Sequence, residues 1–264
     1  MEHSIDPRKE RPRSPNSFIL RLVSLILLIL AWQLGSRIAA SNMLPAPLSV
    51  LSVIGAEART GALFFSLAAT LGRVACAFAL AMVFGTALGV AMGRSKTIDR
   101  FCDPLIIVLL HLPALVVIVL AYIWLGLTDL AAIVAVTLNK LPNTAVTLRE
   151  GARALDKSLE ELALVFELPF GKKIRHIMLP QLAPYFAAAM RSGLSLVWKI
   201  VLVAELLGRS NGIGFEIGVA FQLFDVTRLL AYALPFVGLM LAVETVIVQP
   251  FERHVSRWRQ LHGT

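Results

Sequence analysis

A charged stretch lies in the second half of the chain, where residues 156–184 read DKSLEELALVFELPFGKKIRHIMLPQLAP. Ser158 followed three residues later by Glu161 is a capping-box pattern, which predicts that a helix begins there. Pro169 and Gly171 predict its end, and a second amphipathic stretch follows. The segment therefore predicts a helix–turn–helix whose apolar residues one small helix cannot bury by itself.

Two interpretations of these apolar residues follow from the segment itself. Leu159, Leu162, Ala163 and Phe166 fall on one face of the first predicted helix, as a docking element for a partner protein requires. Alternatively, the helix lies flat on a lipid surface, with the basic residues at 172, 173 and 175 near anionic headgroups. The residues alone leave both interpretations open.

On both sides of this segment the chain is dominated by long apolar runs. Of its 264 residues, 57% are hydrophobic and only 16% are charged, which excludes a disordered chain and argues against a soluble enzyme. A membrane-spanning helix needs about 20 mostly apolar residues. An all-α membrane protein is therefore predicted. Its six expected spans lie at residues 18–35, 67–92, 104–126, 130–148, 186–208 and 229–248.

Two features inside these spans bear on helix packing. Pro113 predicts a kink in the third span, because proline lacks the backbone donor that a helix interior needs. Gly85, Gly89 and Gly93 in the second span predict close approach of a neighbouring helix, since small residues let helix backbones come together in lipid.

The first predicted span has an alternative interpretation as a cleaved signal peptide. Basic residues precede it, and Ile38-Ala39-Ala40-Ser41 loosely resembles a cleavage site. The long polar segment before it and Trp32 near its outer end favour a retained helix.

Basic residues are unevenly distributed between the two sides of the predicted membrane domain. Sixteen Lys and Arg residues lie in the segments 1–17, 94–103, 149–185 and 251–264, against four in the loops 36–66 and 209–228. Cytoplasmic segments carry such an excess, so both termini are expected in the cytoplasm. The same distribution accounts for the net charge of +8 without a nucleic-acid partner. The predicted organisation is a cytoplasmic tail (1–17), a transmembrane domain (18–250) interrupted by a cytoplasmic segment (149–185), and a cytoplasmic tail (251–264).

Polar residues inside the spans are candidates for contact with a transported solute, because such residues are costly in lipid. The candidates are Lys140, Asn143, Lys199 and Glu205. The alternative for each is a structural pair or a side chain that extends to the surface. His111 and His176 are far apart in the sequence and predict no metal site.

The charged stretch resembles the characteristic cytoplasmic loop of bacterial ABC importer permeases. That loop reads Glu-Ala-Ala, three residues, Gly, nine residues, then Ile-x-Leu-Pro. Five residues of this chain stand at the required spacing: Glu161, Ala163, Ile177, Leu179 and Pro180. Leu162 replaces the first Ala, and Glu167 stands where the family has Gly. Glu167 must therefore either extend the helix to Pro169 or adopt a strained backbone conformation.

The resemblance covers about residues 18–255 and is closest to permeases for nitrate, sulfonate, taurine and similar small ions. It rests on LPAP (44–47), SLAATLGRV (66–74), Asp103-Pro104 with Pro113, WLGL (124–127) and LVWKIVLVAELLGRSNGIGFEI (196–217). The family often has a second Pro after Pro113, where this chain has Val116-Val117.

The resemblance implies a type I ABC importer permease fold in the bacterial inner membrane, with a coupling helix between spans 4 and 5. It implies a second permease copy, two cytosolic ATPase subunits and a periplasmic or lipid-anchored binding protein. It implies ATPase-coupling roles for Leu159, Glu161, Leu162, Ala163, Phe166, Glu167, Gly171, Ile177, Leu179 and Pro180. Asn211, Gly212 and Gly214 become candidates for contact with the binding protein.

Energy for transport is expected to come from the partner. The sequence has no GxxxxGK[ST] motif, so no cofactor is expected in this chain, and ATP and Mg²⁺ would bind the ATPase subunits. An independent secondary transporter or channel is the alternative, and a membrane-embedded enzyme a weaker one. The sequence shows neither the inverted repeats frequent in transporters nor a recognisable catalytic spacing.

Overall fold

The computed structural model describes residues 16–39, 41 and 43–250, and these residues form helices joined by short connections. Eleven α-helices follow one another in those ranges: α1 (Asn16–Ala39), α2 (Pro47–Thr60), α3 (Ala62–Arg94), α4 (Lys96–His111), α5 (Ala114–Leu125), α6 (Asp129–Arg153), α7 (Lys157–Val165), α8 (Phe170–Lys173), α9 (Leu179–Gly208), α10 (Ile213–Gln222) and α11 (Val226–Val243). Two π-helical turns, Ile174–Met178 and Glu244–Val248, continue α8 into α9 and extend α11. Of the predicted N-terminal tail (1–17), residues 1–15 lie outside the described residues and Asn16 and Ser17 begin α1; the predicted C-terminal tail (251–264) lies outside them entirely.

Each of the six predicted spans falls on helical structure. Not every helix concerned is long and apolar enough to cross a membrane by itself. Four described helices are long and apolar enough to cross a membrane: Leu22–Ala39, Ala62–Arg94, Gly171–Gly208 and Val226–Val246. The helix pair α4 and α5 adds a fifth if the two together form one span. The predicted span 130–148 lies within α6, whose middle carries Asn139, Lys140 and Asn143.

The third predicted span is broken rather than kinked. Helices α4 and α5 meet at an angle of 101°. Leu112 between them is extended, with φ −71° and ψ 124°, because a residue before proline is excluded from the helical region by the Pro113 ring. The break brings Ala114, the first residue of α5, to a cavity that α6 and α9 also line.

Helices α3, α6 and α9 form the centre of the bundle, and α3 and α6 pack closest. Gly85, Gly89 and Gly93 of α3 all face α6, which confirms the prediction made from their small size. A Cβ atom at Gly89 would lie 3.0 Å from the backbone Cα of Ala145 and closer still to its carbonyl oxygen. Only glycine permits this approach between the two backbones.

Replacing Gly89 by alanine is expected to destabilise the α3–α6 contact by about 1–3 kcal/mol, since the clash is with backbone that cannot move aside. Thermal unfolding of the purified protein in detergent measures the loss. Gly72→Ala on the same helix is the matched control, because nothing lies within 4 Å of a Cβ atom there. Equal unfolding temperatures for the two variants would contradict the proposed packing.

Candidate functional site

Helix α7 lies at one end of the bundle and begins one residue before the predicted start. Asp156, not Ser158, caps it: the Asp156 carboxylate accepts hydrogen bonds from the Ser158 backbone N–H (2.8 Å) and hydroxyl (2.6 Å). These bonds hold the pKa of Asp156 below its ordinary value. The capping box predicted from Ser158 and Glu161 is therefore wrong, because a stronger capping acceptor stands two residues earlier.

The chain turns out of helix α7 at Glu167, two residues after the helix ends at Val165 and at the position where the permease pattern has glycine. Glu167 has φ +47°, in the left-handed region. The Leu168 N–H bonds to the Ala163 carbonyl (2.9 Å), which is the hydrogen bond of a Schellman motif. Of the two conformations predicted for Glu167, the structure contains the strained one. The chain makes the same turn as a glycine would, at a steric cost.

Replacing Glu167 by glycine is expected to stabilise the end of α7 by about 1 kcal/mol, because glycine adopts this conformation without a Cβ clash. Slower hydrogen exchange at the last amides of α7 measures the gain. Glu167→Ala separates conformation from charge, since alanine removes the carboxylate and keeps the strain. Equal exchange in the glycine and alanine variants would show that backbone strain at this position has no energetic consequence.

The outward side of α7 is apolar and unusually exposed. Val165 is 78% exposed, Phe166 68%, Leu162 51% and Leu159 39%, whereas Ala163 is buried against the rest of the chain. The predicted apolar face is therefore split, with Ala163 turned inward and the larger residues turned outward. Val165 was not among the predicted docking residues, although it lies next to Leu162 around the helix. We call Leu162, Val165 and Phe166 the α7 apolar surface.

The second half of the predicted helix–turn–helix continues directly into a spanning helix. Gly171 lies in α8 and Ile177 in the π-helical turn, while Leu179 and Pro180 begin α9. The Leu179 N–H bonds to the Ile174 carbonyl, five residues back. The turn widens just before Pro180, whose ring would clash with the carbonyl four residues earlier in a regular helix. A displacement of this region would therefore be passed to α9 itself.

Two contacts tie the start of α7 to the bundle. The Asp156 N–H donates to Gln181 Oε1 on α9 (2.8 Å). Leu155 is buried in a cluster with Leu148 of α6 and Leu182 of α9. The segment that carries the α7 apolar surface is thus anchored to two central helices.

An ion-pair network that the sequence did not predict joins α4 to α6 at the same end. Arg149 contacts Asp103 (2.5 Å) and Asp99 (3.4 Å), and Arg153 contacts Asp99 (2.6 Å). The side chains come from turns about 50 residues apart, so no local pattern indicates the pairing. The network fixes α4 against the helix that leads into α7.

A buried charge near the other end of α6 is fully paired. Helix α6 has 25 residues, so its two ends are about 37 Å apart. Glu205 has no exposed surface, and its carboxylate contacts Arg73 Nη1 (2.5 Å). It also accepts hydrogen bonds from the Thr70 hydroxyl (2.9 Å) and the Gly214 N–H (2.8 Å). Glu205, predicted as a pathway candidate, stands in the structure as half of a buried pair. The contacts of Glu205 match the alternative interpretation given above for these candidates, in which the charged residue belongs to a structural pair.

The same network holds the loop that follows α9. Arg73 donates to the backbone carbonyl and the side-chain oxygen of Asn211, and to Asp129 at the start of α6 (2.7 Å). Gly212 and Gly214 are buried, and Gly212 has φ +108°. A side chain at Gly212 would adopt a strained backbone and collide with the Glu205 carboxylate. These residues pack the loop onto α3 and α9, and their predicted contact with a binding protein stays a prediction.

The remaining pathway candidates lie in different surroundings. Lys140 is only 2% exposed and, with Asn143, lines a cavity between α4, α5, α6 and α9. Lys199 lies on the exposed surface of α9, with Nζ 5.5 Å from the centre of the Trp198 ring. The structure therefore brings Lys140 and Asn143 together and leaves Lys199 apart from them.

A helical bundle with several spans, a broken span beside a partly open cavity and an amphipathic helix at one end defines a polytopic membrane protein of transporter type. The family model of binding-protein-dependent transport system inner membrane components matches residues 81–258. The match covers more than half of the chain, which belongs to this family and is a permease component of the inner membrane.

Relatives along almost the whole chain are transport permeases. The chain is 27% identical over 254 residues to the putative aliphatic sulfonates transport permease protein SsuC of Bacillus subtilis, covering 96% of this chain and 92% of that protein. It is 28% identical over 251 residues to the nitrate import permease protein NrtB of Synechocystis, covering 88% and 90%. The resemblance inferred from the sequence motifs is confirmed.

The fold also matches a solved transporter. A chain of the inward-facing MetNI methionine ABC transporter superposes with a TM-score of 0.63 at 17% identity, covering 75% of this chain and 98% of that one. The predicted type I importer permease fold is confirmed.

Proposed function

We propose that this chain forms half of the membrane pathway of an ATP-driven importer and that separate ATPase subunits drive it through α7. The α7 apolar surface carries this proposal: three large apolar side chains stand exposed at the end of the bundle. Exposed apolar residues on a short helix suit insertion into a groove of a partner protein. The class of partner, a separate ATPase subunit, follows from the likeness to ABC importer permeases and from membership in the family of binding-protein-dependent transport system inner membrane components.

The contacts of α7 provide the route for coupling. A movement of α7 would reach α9 through Gln181 and the continuous helix from Gly171 to Gly208, and α6 through the cluster around Leu155. Closure of the ATPase pair would thus tilt the central helices together. The bundle of central helices would then have two arrangements, one favoured by nucleotide binding at the α7 end and the other by the loaded binding protein at the opposite end.

The remaining assembly follows from the same proposal. A second copy of the chain completes the pathway, and the binding protein docks at the end opposite α7, near Asn211, Gly212 and Gly214. ATP and Mg²⁺ bind the ATPase subunits. The α7 end and both termini face the cytoplasm, as the distribution of basic residues indicates.

The proposed solute is a small anion of the sulfonate or nitrate class. The two relatives described above are named for aliphatic sulfonates and for nitrate. In this chain, Lys140 is the one charged residue among those that line the described cavity, and its ammonium suits an anion.

Uptake by the reconstituted importer tests the solute class. The chain is reconstituted in proteoliposomes with the ATPase and ATP in the lumen and the binding protein outside. These vesicles are expected to accumulate labelled ethanesulfonate or nitrate. An excess of the unlabelled anion is expected to compete, and an excess of choline is not. Accumulation of choline or glycerol in place of both anions would contradict the proposed class.

A further inference from the structure

We infer that the cavity between α4, α5, α6 and α9 is a binding site within the membrane for the anionic group of the solute, with Lys140 as its cation. The inference depends on the proposed function for one point only, namely that the ligand is the transported solute. The cavity measures about 180 Å³, and a single water needs roughly 10–15 Å³ on the same measure. Its lining residues are Leu109, Leu110, Leu112, Ala114, Asn139, Lys140, Asn143, Leu196 and Ile200.

Lys140 is a buried cation without a counterion among the described residues. Its side chain is 2% exposed, and it forms neither a salt bridge nor a hydrogen bond with any residue in the described ranges. The other buried charged residues there, Arg73 and Glu205, pair with each other. A buried ammonium is costly unless a partner neutralises it. An anion in the adjoining cavity would be that partner.

The bundle leaves room for the Lys140 side chain. A Cβ atom at Gly193 of α9 would lie 2.8 Å from Lys140 Nζ and closer to Cε. Since glycine stands there, the lysine side chain can extend along α9 beside the cavity. This packing places the positive charge where α6 and α9 meet.

Two further groups beside Lys140 are suited to an oxyanion. The Asn143 side chain is exposed and makes no hydrogen bond to a described residue, so its amide can donate. The break at Leu112-Pro113 brings Ala114, the first residue of α5, to the cavity wall. The N-terminus of a 12-residue helix carries unpaired N–H groups and a positive partial charge. Apolar side chains form the rest of the wall and suit the alkyl part of a sulfonate.

Charge-selective labelling of the cavity tests the inference without requiring the transported solute. Both native cysteines are replaced (Cys76→Ala, Cys102→Ala), and Leu110→Cys places a thiol in the cavity wall of the full chain in membrane vesicles. The probes are the anionic 2-sulfonatoethyl and the cationic 2-(trimethylammonium)ethyl methanethiosulfonates. Relative to a free thiol, the anionic reagent is expected to be favoured by about tenfold, the order of effect that a unit charge lining the same cavity produces at an effective dielectric constant of about 20.

Lys140→Gln is expected to abolish the preference, and Lys140→Arg to retain it. Lys96→Gln, which removes an exposed lysine at the start of α4, is the matched control and is expected to leave the preference unchanged. A preference that persists in Lys140→Gln, or a thiol that neither reagent reaches, would overturn the inference. Thermal unfolding shows whether Lys140→Gln is folded, and we expect no loss, since it removes an unpaired buried charge.

This result is separable from the proposed function. Labelling reports the charge of the cavity whether or not an ATPase binds. If the chain binds the ATPase but the cavity thiol shows no preference for the anionic reagent, the inference about the cavity is overturned and the proposed function is not. If the chain does not bind the ATPase but the cavity thiol still prefers the anionic reagent, the proposed coupling is contradicted and the inference about the cavity is not.

Discussion

Replacing Phe166 by aspartate is expected to abolish binding of the ATPase while leaving the chain folded. Phe166 is 68% exposed and lies in the α7 apolar surface, so the fold loses little when the ring is removed. A charge in the centre of a desolvated interface typically costs about 2–4 kcal/mol, which weakens binding roughly 30- to 1,000-fold. Co-purification of the ATPase with the detergent-solubilised chain measures the effect.

The control for Phe166→Asp is the same change at Phe221. Phe221 is 66% exposed and lies on α10, at the end of the bundle opposite α7. Phe221→Asp is expected to retain the ATPase in full. Ala163→Asp serves a different purpose, since Ala163 is buried and its variant is expected to disturb the packing of α7 itself. Equal retention of ATPase by the Phe166 and Phe221 variants would remove the argument for docking at α7.

Replacing Glu205 by alanine is expected to destabilise the protein by about 3–5 kcal/mol, because it leaves the Arg73 guanidinium buried without its partner. Arg73 would retain only Asp129, whose carboxylate is half-exposed, and the oxygen atoms of Asn211. The loop that carries Gly212 would lose the hydrogen bond from the Gly214 N–H to α9. Thermal unfolding in detergent, with the fraction of monodisperse protein, measures the loss.

Two variants show whether that loss comes from the unpaired charge. Arg73→Met combined with Glu205→Met removes both charges and is expected to recover much of the stability. Glu216→Ala breaks a partly exposed pair with Arg228 and is expected to cost about 1 kcal/mol or less. A double variant as unstable as Glu205→Ala would indicate that the loss comes from packing around the network, not from charge.

Most of the fold was predictable because its signals are local. Long apolar runs located the helices. The end of α7 was predicted at Pro169 and Gly171, but the helix ends at Val165 and Gly171 lies in α8. The break between α4 and α5 was predicted only as a kink, since a sequence shows that Pro113 disrupts a helix but not the angle that neighbouring helices impose. The cap of α7 was misassigned because Asp156 and Ser158 both have capping side chains, and only the three-dimensional structure shows which one is used.

The candidate sites were predictable only in part because pairing is not local. Glu205 and Lys140 are both ionisable residues in apolar helices, and from the sequence they were equivalent candidates. Arg73 lies 132 residues from Glu205 and neutralises it, whereas nothing described neutralises Lys140. Glu167 shows the reverse case, in which a resemblance to the permease loop identified two possible conformations and the φ angle decided between them.

ATP-driven uptake with and without the ATPase subunits tests the central claim most directly. Proteoliposomes that contain the chain and binding protein alone are expected to show no accumulation of labelled ethanesulfonate or nitrate. Addition of the ATPase and ATP is expected to produce accumulation against a gradient, which the Phe166→Asp variant does not support. Accumulation by the chain without any ATPase would contradict the account and identify an independent transporter.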